Sequence, residues 1–130
     1  MNHYITLILI TLSGIFNACM DVLKDHYPIS WFKLLKHEQF WDPDLSWTNK
    51  YKWNDELKCW SEEKFWGSST IFVMFTDAWH LFKTLTIFFC ILAIVSMPDN
   101  KDWYYDFIVF YVVFTTLFEI SYRQLSKGEK

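Results

Sequence analysis

At 130 residues the chain has room for one domain, or one small bundle with a loop. Aromatic residues make up 22% of it while Gly and Pro number three each, a balance that excludes long disordered linkers. The net charge of −3, with Lys alternating with Asp and Glu, excludes the basic face that a nucleic-acid partner needs.

A mean hydropathy of +0.06 hides a segregation into apolar runs and one charged loop. Ile5 to Leu23 is a nineteen-residue apolar run. A helix of that length crosses about 30 Å of hydrocarbon at about 1.5 Å per residue. Within it, Phe16-Asn17-Ala18-Cys19 falls short of a lipoprotein cleavage box. No Lys or Arg precedes it, and Phe and Asn stand where an aliphatic and a small residue belong. The first span is therefore placed at about residues 5–24.

Residues 26–67 form a loop that holds six of the eight tryptophans: Trp31, Trp41, Trp47, Trp53, Trp60 and Trp66. Indoles spaced among charges suit a segment lying along lipid headgroups. The plain alternative is that they pack the loop against the bundle. Pro28 to Phe40 is expected to form a short interfacial helix, and Asp42-Pro43-Asp44 and Asn54-Asp55 read as turns.

Ser68 to Met97 is the second apolar run, opened by Ser68 and Ser69 as N-caps and stopped by Pro98. The third span, at about 103–123, runs from Trp103 to Tyr122, with Arg123, Lys127 and Lys130 beyond it. Together these predict an all-α integral membrane protein: three transmembrane helices in a single membrane domain, with a Trp-rich cytoplasmic interfacial loop. With three spans, Lys33, Lys36, Lys50, Lys52, Lys58, Lys64, Arg123, Lys127 and Lys130 share one side, and Lys101 alone lies on the other. The positive-inside rule then puts the loop and tail in the cytoplasm and the N-terminus outside the inner or plasma membrane. Of the cysteines, Cys19 and Cys90 lie in apolar runs, where Cys behaves as a small hydrophobe. Cys59 completes no Cys-x-x-Cys, so no zinc or redox motif is present.

Each span carries a polar seam at helical spacing. The first has Ser13, Asn17, Asp21 and Lys24; the second has Asp77, His80 and Thr84, with Lys83 to the side; the third has Tyr111, Thr115, Glu119 and Tyr122, followed by Arg123. Three such seams are best buried by facing one another. Span direction brings Asp21, Asp77, His80 and Glu119 to one level near the cytoplasmic face, with Lys24, Lys83 and Arg123 nearby. A charge at the bilayer centre costs roughly 2.5–3.5 kcal/mol, so ionisable residues in spans point to function by default. Snorkelling explains Lys24, Lys83 and Arg123 equally well.

Asp77-x-x-His80 sets a carboxylate and an imidazole on one helix face, the spacing of carboxylate–histidine metal sites in bundles. With Asp21, Glu119 and His26 it would make a shell suited to a divalent metal such as iron, manganese or zinc. The second Glu-x-x-His of a di-metal site is missing. A His between carboxylates would also pass protons or line an ion path. Asp42-x-Asp44-x-Ser46 starts like a calcium loop, but Trp47 stands where the turn needs Gly. Phosphate loops, Gly-x-Ser-x-Gly and His-Glu-x-x-His are absent.

Five stretches carry a resemblance: Gly14-Ile15-Phe16-Asn17-Ala18-Cys19-Met20-Asp21, Phe40-Trp41-Asp42-Pro43, Ser46-Trp47-x-Asn49-Lys50-Tyr51, Lys64-Phe65-Trp66-Gly67-Ser68, and Thr76-Asp77-Ala78-Trp79-His80-Leu81-Phe82-Lys83. Over residues 14–85 the chain resembles a family of small uncharacterised multi-span membrane proteins from Bacteroidetes-type bacteria and their phages. The resemblance implies no activity. It implies only that these segments act as one unit, and Glu119 lies outside it.

Three functions fit these residues. One is an ion or proton path lined by the Asp/His/Glu cluster, which three helices enclose only as a homo-oligomer or with a membrane partner. Another is a metal-dependent or acid–base membrane enzyme acting on a lipid-like substrate. The last is a structural or accessory subunit whose seams hold helices together, at about 0.6 kcal/mol per interhelical hydrogen bond.

Overall fold

The structure is a computed structural model and describes residues 3–97 and 103–127. The features expected at Pro98, Lys101 and Lys130 lie outside the described residues. Three helices are long and apolar enough to cross a membrane. They are α1 (His3–His26), α4 (Ala78–Val95) and α5 (Trp103–Leu125). Between α1 and α4 lie two one-turn helices, α2 (Glu38–Trp41) and α3 (Pro43–Ser46), and a hairpin of β1 (Tyr51–Asn54) and β2 (Cys59–Glu63).

Helix α1 is the centre of the bundle. It packs against both α4 and α5, which barely meet each other. Small residues on α1 allow this. On one face the Thr6 hydroxyl donates to the Ser96 carbonyl at 2.9 Å. Ser13 donates to the Thr86 carbonyl at 3.0 Å and lies 2.9 Å from Cys90 Sγ. On the other face Gly14 meets α5 so closely that a Cβ there would stand 2.9 Å from the Phe114 carbonyl oxygen. Lipid offers no hydrophobic force to join helices, so close approach and interhelical hydrogen bonds do so. Ile87, Phe88, Ile91 and Ile94 on α4 and Ile108, Val109 and Val112 on α5 point outward. In water that surface would be an aggregation face; in hydrocarbon it is the solvated side.

The loop is folded back onto the loop-side end of the bundle. Tyr27 and Phe32 are buried with Cys19, Val22 and Leu23 of α1 and Ala78 and Phe82 of α4. Trp41 stacks on Phe32 at 5.5 Å and reaches Phe82 at 6.3 Å. Packing against the bundle therefore holds for Trp41, while Trp31, Trp47, Trp53 and Trp66 stay exposed.

Two expected elements differ. The helix over Pro28 to Phe40 is replaced by two 3-10 turns, Tyr27–Ile29 and Trp31–Leu34, and by α2. Ser30 breaks the run: it is extended, and its hydroxyl donates to the Tyr27 carbonyl at 2.9 Å, competing with helix continuation. His37, at φ 68°, turns the chain again before α2. The second of the long apolar helices starts at Ala78, ten residues after Ser68. The serines expected to cap it have distant partners instead. Ser68 Oγ donates to the Lys50 carbonyl at 2.6 Å, and the Ser69 hydroxyl donates to Glu63. Gly67, at φ 73°, makes the turn that allows both.

The hairpin was not expected. Trp53 stands opposite Trp60, their rings edge-to-face at 5.4 Å, and Trp47 meets Trp60 at 6.4 Å. Its turn is at Asn54-Asp55 as expected, where Asn54 Oδ1 accepts from the Glu56 and Leu57 amides at 3.0 Å. Asp42-Pro43-Asp44 opens α3, with Asp42 Oδ1 accepting from the Asp44 amide at 2.9 Å.

Candidate functional site

Asp77 is the N-cap of α4, extended at φ −152° and ψ 154°. Its Oδ1 accepts from the His80 backbone amide at 2.8 Å, satisfying one of the amide groups a helix start leaves open. The same carboxylate holds the His80 ring, with Nδ1 at 2.8 Å from Oδ1 and 2.7 Å from Oδ2. Sequence spacing alone made these two neighbours; the capping turn also makes them a bonded pair. Asp77 is 3% exposed.

A buried carboxylate needs a counter-charge. Lys50 Nζ supplies it at 3.6 Å from Oδ2. The position of Lys50 is fixed by its own backbone: its carbonyl accepts from Ser68 Oγ at 2.6 Å and from the Lys64 amide at 2.9 Å. Next to it, Asn49 Nδ2 donates to the carbonyls of Gln39 and Thr76 at 2.9 and 3.0 Å, tying the loop to the residue before the cap.

These groups open on a cavity of about 290 Å³ lined by Lys24, Ser46, Lys50, Asp77 and His80, with walls that include Trp47 and Trp79. Lys24 lies in the last turn of α1 and Asp77 caps the start of α4, so the cavity sits where two spans end. His80 Nδ1 is committed to Asp77, and Nε2 has no hydrogen-bond partner among the described residues. No protein-family model matches the chain, and no curated protein or solved structure matches it either.

The four-residue centre of Asp21, Asp77, His80 and Glu119 is not assembled. Asp21 is half-buried on α1. Glu119 pairs with Arg123 at 2.5 Å on an exposed face. The reason is geometric: α1 separates α4 from α5, so seams drawn from three helices meet in two places. Among the described residues no three His, Cys, Asp or Glu side chains come together to hold a metal ion, so the expected set of Asp77, His80, Asp21 and Glu119 is not gathered in this structure. His26, its further ligand, packs edge-on against Tyr122 at 5.4 Å.

The supporting residues divide likewise. Lys24 joins the cavity. Lys83 is exposed and lies over the Trp79 ring at 5.0 Å. Thr115 bonds back to the Tyr111 carbonyl at 2.9 Å within its own helix. Asn17 and Thr84 are half-buried on their helices.

Sequence reading missed Lys50, Ser46 and Trp47. No periodicity relates them to Asp77, since they come from a loop between 27 and 31 residues upstream. All three fall within the five residues from Ser46 to Lys50, just before the hairpin.

Proposed function

We propose that Asp77 and His80 form the acid–base centre of a membrane enzyme acting on a lipid-like substrate where α1 ends and α4 begins. The observation that carries this reading is the pair of contacts from the Asp77 carboxylate to His80 Nδ1, at 2.8 and 2.7 Å. A carboxylate on Nδ1 selects the tautomer with its proton there, leaving the Nε2 lone pair as a base. It also stabilises the imidazolium formed once Nε2 takes a proton. Lys50 balances the carboxylate, and the tryptophan-walled cavity at the ends of α1 and α4 supplies a half-apolar setting that would suit a lipid headgroup. The site residues from Lys24 to His80 all lie in the 14–85 block that carries the resemblance, and we read the site as a property of that block.

The ion-path reading is weaker, because helices arranged as an open arc around α1 enclose no path without further protomers. The test is turnover of native lipids. The protein in nanodiscs of a total bacterial lipid extract should convert a lipid species detectable by mass spectrometry. Asp77→Asn should slow this by about 10²–10⁴-fold, and His80→Gln should abolish it. An unchanged lipid profile, with pH-dependent liposome conductance lost in Asp77→Asn, would overturn the enzyme in favour of the path.

A further inference from the structure

The cavity has an unbalanced set of polar groups. Its one carboxylate, Asp77, is saturated by the His80 amide, His80 Nδ1 and Lys50. Lys24 and Lys50 carry donors only, and two cations face one anion around the cavity. Asp21 and Asp25 stand near Lys24 on α1, but neither lines the cavity.

Ser46 is an independent sign. It is 6% exposed, it lines the cavity, and its hydroxyl has no hydrogen-bond partner among the described residues. Among the described residues, the side-chain polar atoms sealed without a partner are the Tyr27 hydroxyl and Trp79 Nε1. The Ser46 hydroxyl is not one of them, so it keeps access to solvent in a residue that lines the cavity.

From the donors, the excess positive charge and the indole walls, we infer that the cavity binds the phosphate group of an anionic amphiphile. Lys24 and Lys50 neutralise the phosphate, Ser46 donates to it, and Trp47 and Trp79 flank the apolar part that follows. Charge-assisted hydrogen bonds of this kind are the strong ones, and lysine binds phosphate as a point charge. A phosphate held there stands beside His80, so the inference deepens the enzyme reading and rests on it for the choice of cavity. Lipid headgroups and free phosphate share this chemistry. The position of the site, at the ends of two helices long and apolar enough to cross a membrane, favours the lipid.

The experiment uses the full chain in phosphatidylcholine nanodiscs, with phosphatidic acid as one probe and inorganic phosphate as the other. Phosphatidic acid should bind saturably by native mass spectrometry. Lys24→Gln and Ser46→Ala should each weaken it about tenfold, and Lys127→Gln, the same charge loss elsewhere, should leave it unchanged. Lys24 is exposed and makes no ion pair among the described residues, so its variant tests the site without unfolding it. Binding of inorganic phosphate alone, weakened by the same variants, supports the phosphate site and assigns a soluble source. Equal losses in all three variants, or no saturable binding of either probe, would overturn the inference. His80→Gln should lose turnover while phosphatidic acid still binds saturably. Binding without turnover in the unmodified protein therefore removes the enzyme reading alone, and turnover unaffected by Lys24→Gln and Ser46→Ala removes the phosphate site alone.

Discussion

Asp77 does two jobs with one carboxylate, and substitutions separate them. Asn ranks with Asp as a helix cap, whereas Ala costs about 1 kcal/mol at such a position. Asp77→Ala should therefore be less stable than Asp77→Asn by about 1 kcal/mol in reversible unfolding, while both lose turnover alike. If activity followed the cap, the Asn variant would retain it. A second carboxylate makes a pH-dependent contribution. Glu63 accepts from the Ser69 hydroxyl, from the Gly67 amide at 2.9 Å and from the Ser69 amide at 3.2 Å. These bonds hold its pKa below that of an ordinary glutamate, 4.5. Because the folded value is the lower one, its stabilising contribution is present above the unfolded pKa. It is lost as pH falls through the folded pKa. Amide-exchange protection at Gly67 and Ser69 should hold down to about pH 4.5 and fall below it, after correction for intrinsic exchange. Glu63→Gln should remove that acid step.

At the scale of elements, the bundle depends on how closely α1 approaches its two neighbours. Gly14→Ala should raise helix propensity by about 1 kcal/mol in isolation. Here the added carbon would stand 2.9 Å from a backbone oxygen of α5, which cannot rotate away. Overpacking of that kind costs about 1–3 kcal/mol, so a net loss of stability is expected in detergent unfolding. A variant as stable as the parent would show that α5 does not pack on Gly14. Ser13→Ala removes the hydrogen bond to Thr86 and should cost about 0.6 kcal/mol, the membrane average. Asn49 ties the loop to α4 through the Gln39 and Thr76 carbonyls, so Asn49→Ala should loosen Lys50 from Asp77.

For the molecule as a whole, the excess of basic residues on the loop side predicts a cytoplasmic loop. Cys59 is exposed in the hairpin, whereas Cys19 is buried in α1 and Cys90 lies in α4. A membrane-impermeant maleimide should therefore leave intact cells unlabelled at Cys59 and label it after permeabilisation. Labelling of intact cells would invert the orientation.

Apolar length and periodicity alone determine three helices able to cross a membrane, because hydrocarbon demands internal hydrogen bonds and long apolar runs. The Asp77–His80 pairing was also legible, since i and i+3 meet on any helix start. Tertiary structure decided the rest. Ser68 and Ser69 look like caps in sequence, yet Lys50 and Glu63 claim them, and α4 starts at Ala78 instead. Lys50 and Ser46 reach Asp77 only because the loop folds back, a contact that no local period encodes. Seam periodicity shows which side of each helix is polar, but not which neighbour it faces. With α1 between α4 and α5, Glu119 pairs with Arg123 on α5 while Asp77 and His80 meet the loop. That division depends on the order in which helices pack, which close contacts such as Gly14 against Phe114 set.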